Sequence, residues 1–263
     1  MAGRSLLQWA LRWSLRHDRL LVICGLALVV LLSWAYLFTG AGTMQEMGDM
    51  LMPMSAGPWT FGHAALMFAM WAVMMAAMML PSAAPMILLY STIAQRNAAR
   101  GGSVAASGSF TLGYIAVWSA FSLVATALQY GLEQAALLSP MMEATSLLLT
   151  GAVLIAAGLY QWTPLKQVCL RHCRSPLEFI TAHWRTGAGG AFAMGFRHGA
   201  YCVGCCWLLM LLLFVGGVMN FAWIGGLALF VLIEKLAPAG HWIGRGAGVL
   251  LVLWGSAALL SLV

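Results

Sequence analysis

Five of the six cysteines fall in two short blocks, Cys169-Leu-Arg-His-Cys173 and His198-Gly-Ala-Tyr-Cys202-Val-Gly-Cys205-Cys206. Thiols and an imidazole spaced this closely are soft metal ligands or partners in thiol–disulfide exchange. On a helix, at about 100° per residue, His198, Cys202, Cys205 and Cys206 share an arc of roughly 100°. Met194 extends the same stripe. Cys169 and Cys173, spaced i, i+4, are placed to close over one end of it. The spacing is not a zinc-finger pattern. Cys24 stands alone and reads as packing.

The methionines are as unevenly placed. Of 18 in the chain, 12 lie between positions 44 and 86. Met44, Met47, Met50, Met52 and Met54 stand in one connection, and Met67, Met70, Met74, Met75, Met78 and Met79 follow in an apolar stretch. His63, Met67, Met70, Met74 and Met78 share an arc of about 80° on a helix, with Met75 and Met79 off it. Thioethers are soft, form no disulfides and are ligands for Cu(I). The pattern predicts capture of the ion by Met44, Met47 and Met50 and its passage along the stripe from His63 to Met78. Cu(I) is the favoured ion, with zinc or iron left open.

Elements that hold such side chains must be membrane helices. Only 8% of the 263 residues are charged and 62% are hydrophobic, with a mean hydropathy of +0.90. That is too little charge to cover a water-facing surface, which excludes a soluble domain, a disordered chain and a disulfide-stapled module. Apolar runs at roughly 20–39, 59–80, 107–130, 144–163, 193–215, 219–237 and 243–262 predict about seven transmembrane helices in an all-α, polytopic fold. Pro81 and Pro85 predict a kink or break where the second run continues to about residue 93. Residues 1–19, with Arg4, Arg12, Arg16 and Arg19, read as a cytoplasmic amphipathic segment on the membrane surface. Residues 20–263 then form a single helical bundle with a Met-rich outer loop at 40–58 and a Cys-containing inner loop at 164–189. With the N-terminus cytoplasmic, all 13 basic residues fall on the inner side, while Glu46, Asp49, Glu133 and Glu143 lie outside. The net charge of +6 therefore marks topology and not a nucleic-acid partner. The partner is the lipid bilayer of a bacterial inner (plasma) membrane, crossed many times.

Four blocks carry a resemblance. They are Met74-Met75-Ala-Ala-Met78-Met79-Leu-Pro81-Ser82, then Tyr160-Gln-Trp162-Thr-Pro164-Leu-Lys166 leading into Cys169 to Pro176, then Gly195 to Met210 with the cysteine cluster, and Glu234-Lys235. Over about residues 60–236 the chain resembles a bacterial family of unknown function described as predicted metal-binding integral membrane proteins. The resemblance implies metal binding and supplies neither a metal nor an activity.

Cys202, Cys205, Cys206 and His198, joined by Cys169 and Cys173, are thus the candidate ligands. Glu234 sits at a depth similar to Arg197 and His198, so it is expected to pair with Arg197 or to orient His198 from behind. Lys235 is expected at the inner interface. Cys202 would lie about 13 Å from the cytoplasmic face and Met74 about 9 Å, so the two sulfur ladders meet if their helices are neighbours. Three functions follow from this reading. One is a soft-metal binder that captures, passes or delivers copper across the membrane. The second is a thiol–disulfide electron carrier built on Cys202 and Cys205. The third is a subunit that loads a metalloenzyme, with a metallochaperone or that enzyme as partner. No P-loop, GxGxxG or HExxH motif and no catalytic constellation is present. The one-sided charge makes the topology testable. A single cysteine at position 98 should react with an impermeant thiol reagent only after cells are permeabilised.

Overall fold

The computed structural model describes residues 2–39, 44–47, 50–53, 59–99 and 107–262, with side chains described for 20–39, 59–97 and 107–262. Ten helices account for nearly all of it. They are α1 (Ala2–Phe38), α2 (Phe61–Ala99), α3 (Ser107–Gln134), α4 (Leu147–Tyr160), α5 (Pro164–Arg174), α6 (Pro176–His183), α7 (Gly187–Leu211), α8 (Leu213–Gly216), α9 (Phe221–Leu236) and α10 (Gly240–Leu260). Between α1 and α2 run two short antiparallel strands, β1 (Met44–Met47) and β2 (Met50–Pro53), which pair Met44 with Pro53 and Met47 with Met50. The side chains of Met44, Met47 and Met50 lie outside the described residues, as do Asp49, Met54 and Arg100.

Among the described residues, five helices are long and apolar enough to cross a membrane, and α4 with α5 forms a sixth candidate bent by 64°. The remaining expected span, α9, has 16 residues, short of the roughly 20 that a crossing takes. Residues 2–19 run into the first apolar stretch as one helix of 37 residues. Of the kink or break expected at Pro81 and Pro85, a break does not occur, and α2 continues through both. Each proline removes a ladder donor. In the same turn the Ser82 hydroxyl (2.9 Å) and the Tyr114 hydroxyl (3.2 Å) donate to the Met79 carbonyl, which ties α3 to α2 at this point.

Sequence also dictates where the helices stop. Ser146, Thr163 and Asn220 cap α4, α5 and α9 by accepting from backbone N–H groups, and Pro164 and Pro176 open α5 and α6 at first-turn positions. Large apolar side chains stay exposed on α1, α3, α4 and α10, among them Leu31, Leu123, Leu148, Leu250 and Leu253, as a lipid-facing rim would be. The core is rich in sulfur. Met67, Met70, Met74, Met75, Met78 and Met79 are all buried, so the stripe faces neighbouring helices and not lipid.

The most extensive helix pair is α3 on α7. It depends on glycine. A methyl group on Gly195 would overlap the Phe110 carbonyl, and one on Gly113 would overlap the Phe192 carbonyl, so both backbones approach across bare Cα atoms. Gly158 and Gly248 do the same between α4 and α10. Gly195→Ala should therefore lower the melting temperature of the purified protein, at about the 1–3 kcal/mol typical of overpacking. Gly189→Ala, whose methyl meets open space on the same helix, should leave it unchanged or raise it.

Candidate metal centre

Helix α7 presents the cysteines as its periodicity requires: His198, Cys202, Cys205 and Cys206 are all buried on one face. Helix α5 packs against α7 and brings the second pair to it. The Cys173 side chain lies close to those of Cys202 and Cys205, and the Cys206 side chain lies close to the same two. Cys169 lies over Gly204, its Sγ 2.7 Å from where a Cβ on that glycine would stand. The two blocks, 33 residues apart between Cys169 and Cys202, thus form one thiol cluster.

The cluster is not a preformed shell. Among the described residues no three His, Cys, Asp or Glu side chains are arranged to hold a metal ion. The reason lies in the rotamers. Cys205 and Cys206 turn their thiols back onto the Cys202 carbonyl, at 3.1 and 2.9 Å, as residues three and four positions along a helix can. His198 is sealed between the rings of Tyr114, Phe110 and Phe179, with centroids 5.7, 6.2 and 5.4 Å away. Its Nδ1 is buried without a hydrogen-bond partner among the described residues. An orphaned donor or acceptor at such depth is costly unless something else engages it.

Two groups stand against Cys202 that its own helix does not supply. The Lys235 ammonium donates to Cys202 Sγ at 2.9 Å and to Ser82 Oγ at 3.0 Å. The Tyr114 hydroxyl lies 3.0 Å from the same sulfur. Lys235 is 6% exposed, so its expected place at the interface is corrected: it reaches into the protein, where sulfur and hydroxyl replace water. Tyr114 joins the Met79 carbonyl on α2 to Cys202 on α7, and Lys235 joins Ser82 on α2 to the same cysteine. The methionine and cysteine ladders therefore meet through α3 and α9, each of which packs on both α2 and α7.

Glu234 needs a second correction. It pairs with neither Arg197 nor His198. Lys166 lies 2.8 Å from its Oε1 and 3.0 Å from its Oε2, both side chains being fully buried, and Lys166 also donates to Gln161 Oε1. Arg197 is exposed beside Tyr201, on another face of α7. Arg174 adds a clamp by donating to the carbonyls of Ala237 (2.6 Å) and Pro238 (2.8 Å), where α9 ends. Lys166 and Arg174 bracket Cys169 and Cys173, so these bonds set where α5 places its thiols.

Of the candidate stripe, Met67, Met70, Met74 and Met78 lie in the core, whereas His63 is half-buried against the Trp59 ring at 4.9 Å. Residues 68–258 match the sequence profile of the PpoB2 family, described as copper chaperones. The chain belongs to that family. No curated protein and no solved structure matches it. The copper-chaperone match covers the thiol cluster, Tyr114, Lys166, Glu234 and Lys235, and begins one residue after Met67.

Sequence reasoning missed Tyr114, Lys166 and Gln161 as parts of this site and misplaced Lys235. The blocks containing Ser82, Gln161, Lys166 and Lys235 were the available signal. Tyr114 carries none. The reassigned ion pair predicts a clear contrast. Glu234→Gln leaves the Lys166 ammonium buried without a counter-charge and should cost about 3–5 kcal/mol in unfolding measurements. Arg197→Gln should stay within about 0.5 kcal/mol. Lys166→Met with Glu234→Leu should recover most of the loss.

Proposed function

We propose that this copper-chaperone family member is embedded in the bacterial inner membrane with its N-terminus cytoplasmic, holds Cu(I) as cargo on its thiol cluster, and delivers it to a metalloenzyme or a second metallochaperone. The single observation that carries the reading is that the Cys173, Cys205 and Cys206 side chains lie close to Cys202, whose sulfur accepts a hydrogen bond from the buried Lys235.

The donor set suits the ion. Cu(I) is soft and favours thiolates over the oxygen ligands of harder metals. A centre of two thiolates and Cu(I) carries one net negative charge, and the Lys235 ammonium beside Cys202 offsets it. Cys202 and Cys205 are the principal ligands, with Cys206 or Cys173 completing the shell, once the Cys205 and Cys206 thiols rotate away from the Cys202 carbonyl. His198 offers its Nδ1, and Cys169 stands by over Gly204. The methionines from Met78 to Met67, with His63 at the far end, are the path along which the ion reaches or leaves the cluster, and Met44, Met47 and Met50 serve its capture. Glu234 acts on this centre through Lys166 and α5, not through His198. No observation favours the thiol–disulfide carrier over this reading.

Two substitutions separate holding the ion from packing. Cys202→Ser with Cys205→Ser should abolish high-affinity Cu(I) in competition with a chromophoric Cu(I) chelator, and unchanged affinity in that variant would sink the site. Lys235→Met, which keeps the length and removes the charge, should weaken Cu(I) binding about ten- to hundredfold, as loss of a supporting group around a metal does.

A further inference from the structure

A second cluster of soft donors lies at the other end of α2, around the side chain of Gln129. Its Nε2 is 3.4 Å from Met67 Sδ, 3.4 Å from Met142 Sδ and 2.7 Å from Glu133 Oε1. Its Oε1 accepts from Trp71 Nε1 at 2.8 Å. Gln129 and Met67 are buried, and Met142 is 9% exposed. An amide nitrogen carries two hydrogens. Here three acceptors surround it, two of them thioether sulfurs that are weak acceptors. A donor-poor, acceptor-rich pocket of this kind suits a cation better than an amide.

The backbone at Met142 points the same way. Met142 sits at φ 56°, in the left-handed region that an unbranched, long side chain seldom adopts. The turn is held by the Met142 N–H donating to the Ser139 carbonyl at 2.8 Å. Such a conformation costs on the order of 1–3 kcal/mol and persists where surroundings enforce it. Its effect is to drive a thioether inward from a connection that could have kept it in solvent.

We infer that Met67 and Met142 form a discrete two-thioether Cu(I) site, with the Gln129 amide holding the ion's place when the site is empty. Two neutral thioethers leave the bound ion with one positive charge. The Glu133 carboxylate supplies the counter-charge, and Trp59 Nε1 fixes it by donating to Glu133 Oε2 at 2.7 Å. Binding requires the Gln129 amide nitrogen to turn away from the two sulfurs. The inference takes the identity of the cargo from the proposed function and is otherwise independent of the thiol cluster.

The test uses full-length protein labelled with 13C at methionine methyl groups and titrated with Ag(I), a diamagnetic soft stand-in for Cu(I). In a background with all six cysteines replaced by Ser, one equivalent should move the Met67 and Met142 methyl resonances together, assigned through single Leu substitutions. Met142→Leu, which conserves volume, should weaken that binding at least tenfold, and Met67→Leu carries the same test should Met142→Leu fail to fold. If the two resonances stay put while other methionines respond, or if neither Leu variant changes affinity, the site does not exist. If both resonances move while the cysteine variant retains its full high-affinity Cu(I), the thioether site stands and the thiol reading fails.

Discussion

Two consecutive charged residues at the end of α9, Glu234 and Lys235, constrain more of this molecule than any other pair. Both are buried, and removing an ion from water costs several kcal/mol even after the protein relaxes. Each must therefore find a partner, and at about 100° per helical residue they must find it on different sides. Glu234 takes Lys166, which draws in α5 with Cys169 and Cys173. Lys235 takes Cys202 and Ser82, which ties α7 to α2. Space for the first arrangement comes from Gly240 and Gly244 on α10, where any side chain would overlap Glu234. The thiol cluster is assembled by these electrostatic requirements as much as by apolar packing, because apolar surfaces alone would not single out one rotation of α5 or α7.

The charge placed beside each sulfur cluster matches what that kind of sulfur would need. Thiolates bring negative charge, so a Cu(I) centre built on them requires a cation nearby, and the cysteine cluster has Lys235. Thioethers bring none, so a Cu(I) ion among them requires an anion, and the Gln129 pocket has Glu133. Exchanging the two counter-charges would make both centres unfavourable in an apolar interior, where uncompensated charge is the largest cost. Burying the methionine stripe serves the same end: sulfur turned toward lipid could not be reached by an ion travelling through the protein.

Much of this was legible in the residues, and the remainder was not for definite reasons. The helices and the shared face of His198, Cys202, Cys205 and Cys206 follow from hydropathy and a period of 3.6, which are local properties. Their meeting with Cys173 does not, since a period says nothing about which helix lies opposite. Glu234 was read toward Arg197 and His198 because equal depth was the only long-range measure available, whereas its partner Lys166 lies 68 residues away and is brought near by the 64° bend after α4. Lys235 was read as an interfacial lysine because a lysine near a helix end usually reaches water. Only the packing of α2, α3 and α7 around it decides otherwise. Gln129 and Met142 belong to no motif, and the left-handed backbone that aims Met142 inward has no compositional mark such as glycine or asparagine. The family match points to copper and leaves ligands and direction to chemistry.

Chemistry does favour one direction. Thioethers bind Cu(I) weakly and without charge, whereas thiolates bind it strongly, so on the proposed reading an ion entering among Met67 and its neighbours would run toward the cysteines as toward tighter binding. The path along α2 from Met67 to Met79 is roughly 18 Å, and its last link is not a sulfur contact between α2 and α7. It is the Tyr114 hydroxyl and the Lys235 ammonium, which both touch Cys202 and reach back to α2. Such an arrangement ends in a trap unless something competes with the thiolates. Release then requires an incoming ligand of equal softness that can approach Cys173, the half-buried member of the cluster, on the short helix α5 and not on a long spanning one. On the proposed reading, a protein that held Cu(I) deep and exposed one ligand at the edge would hand the ion over by ligand exchange and not let it diffuse away, which is what would separate a chaperone from a channel.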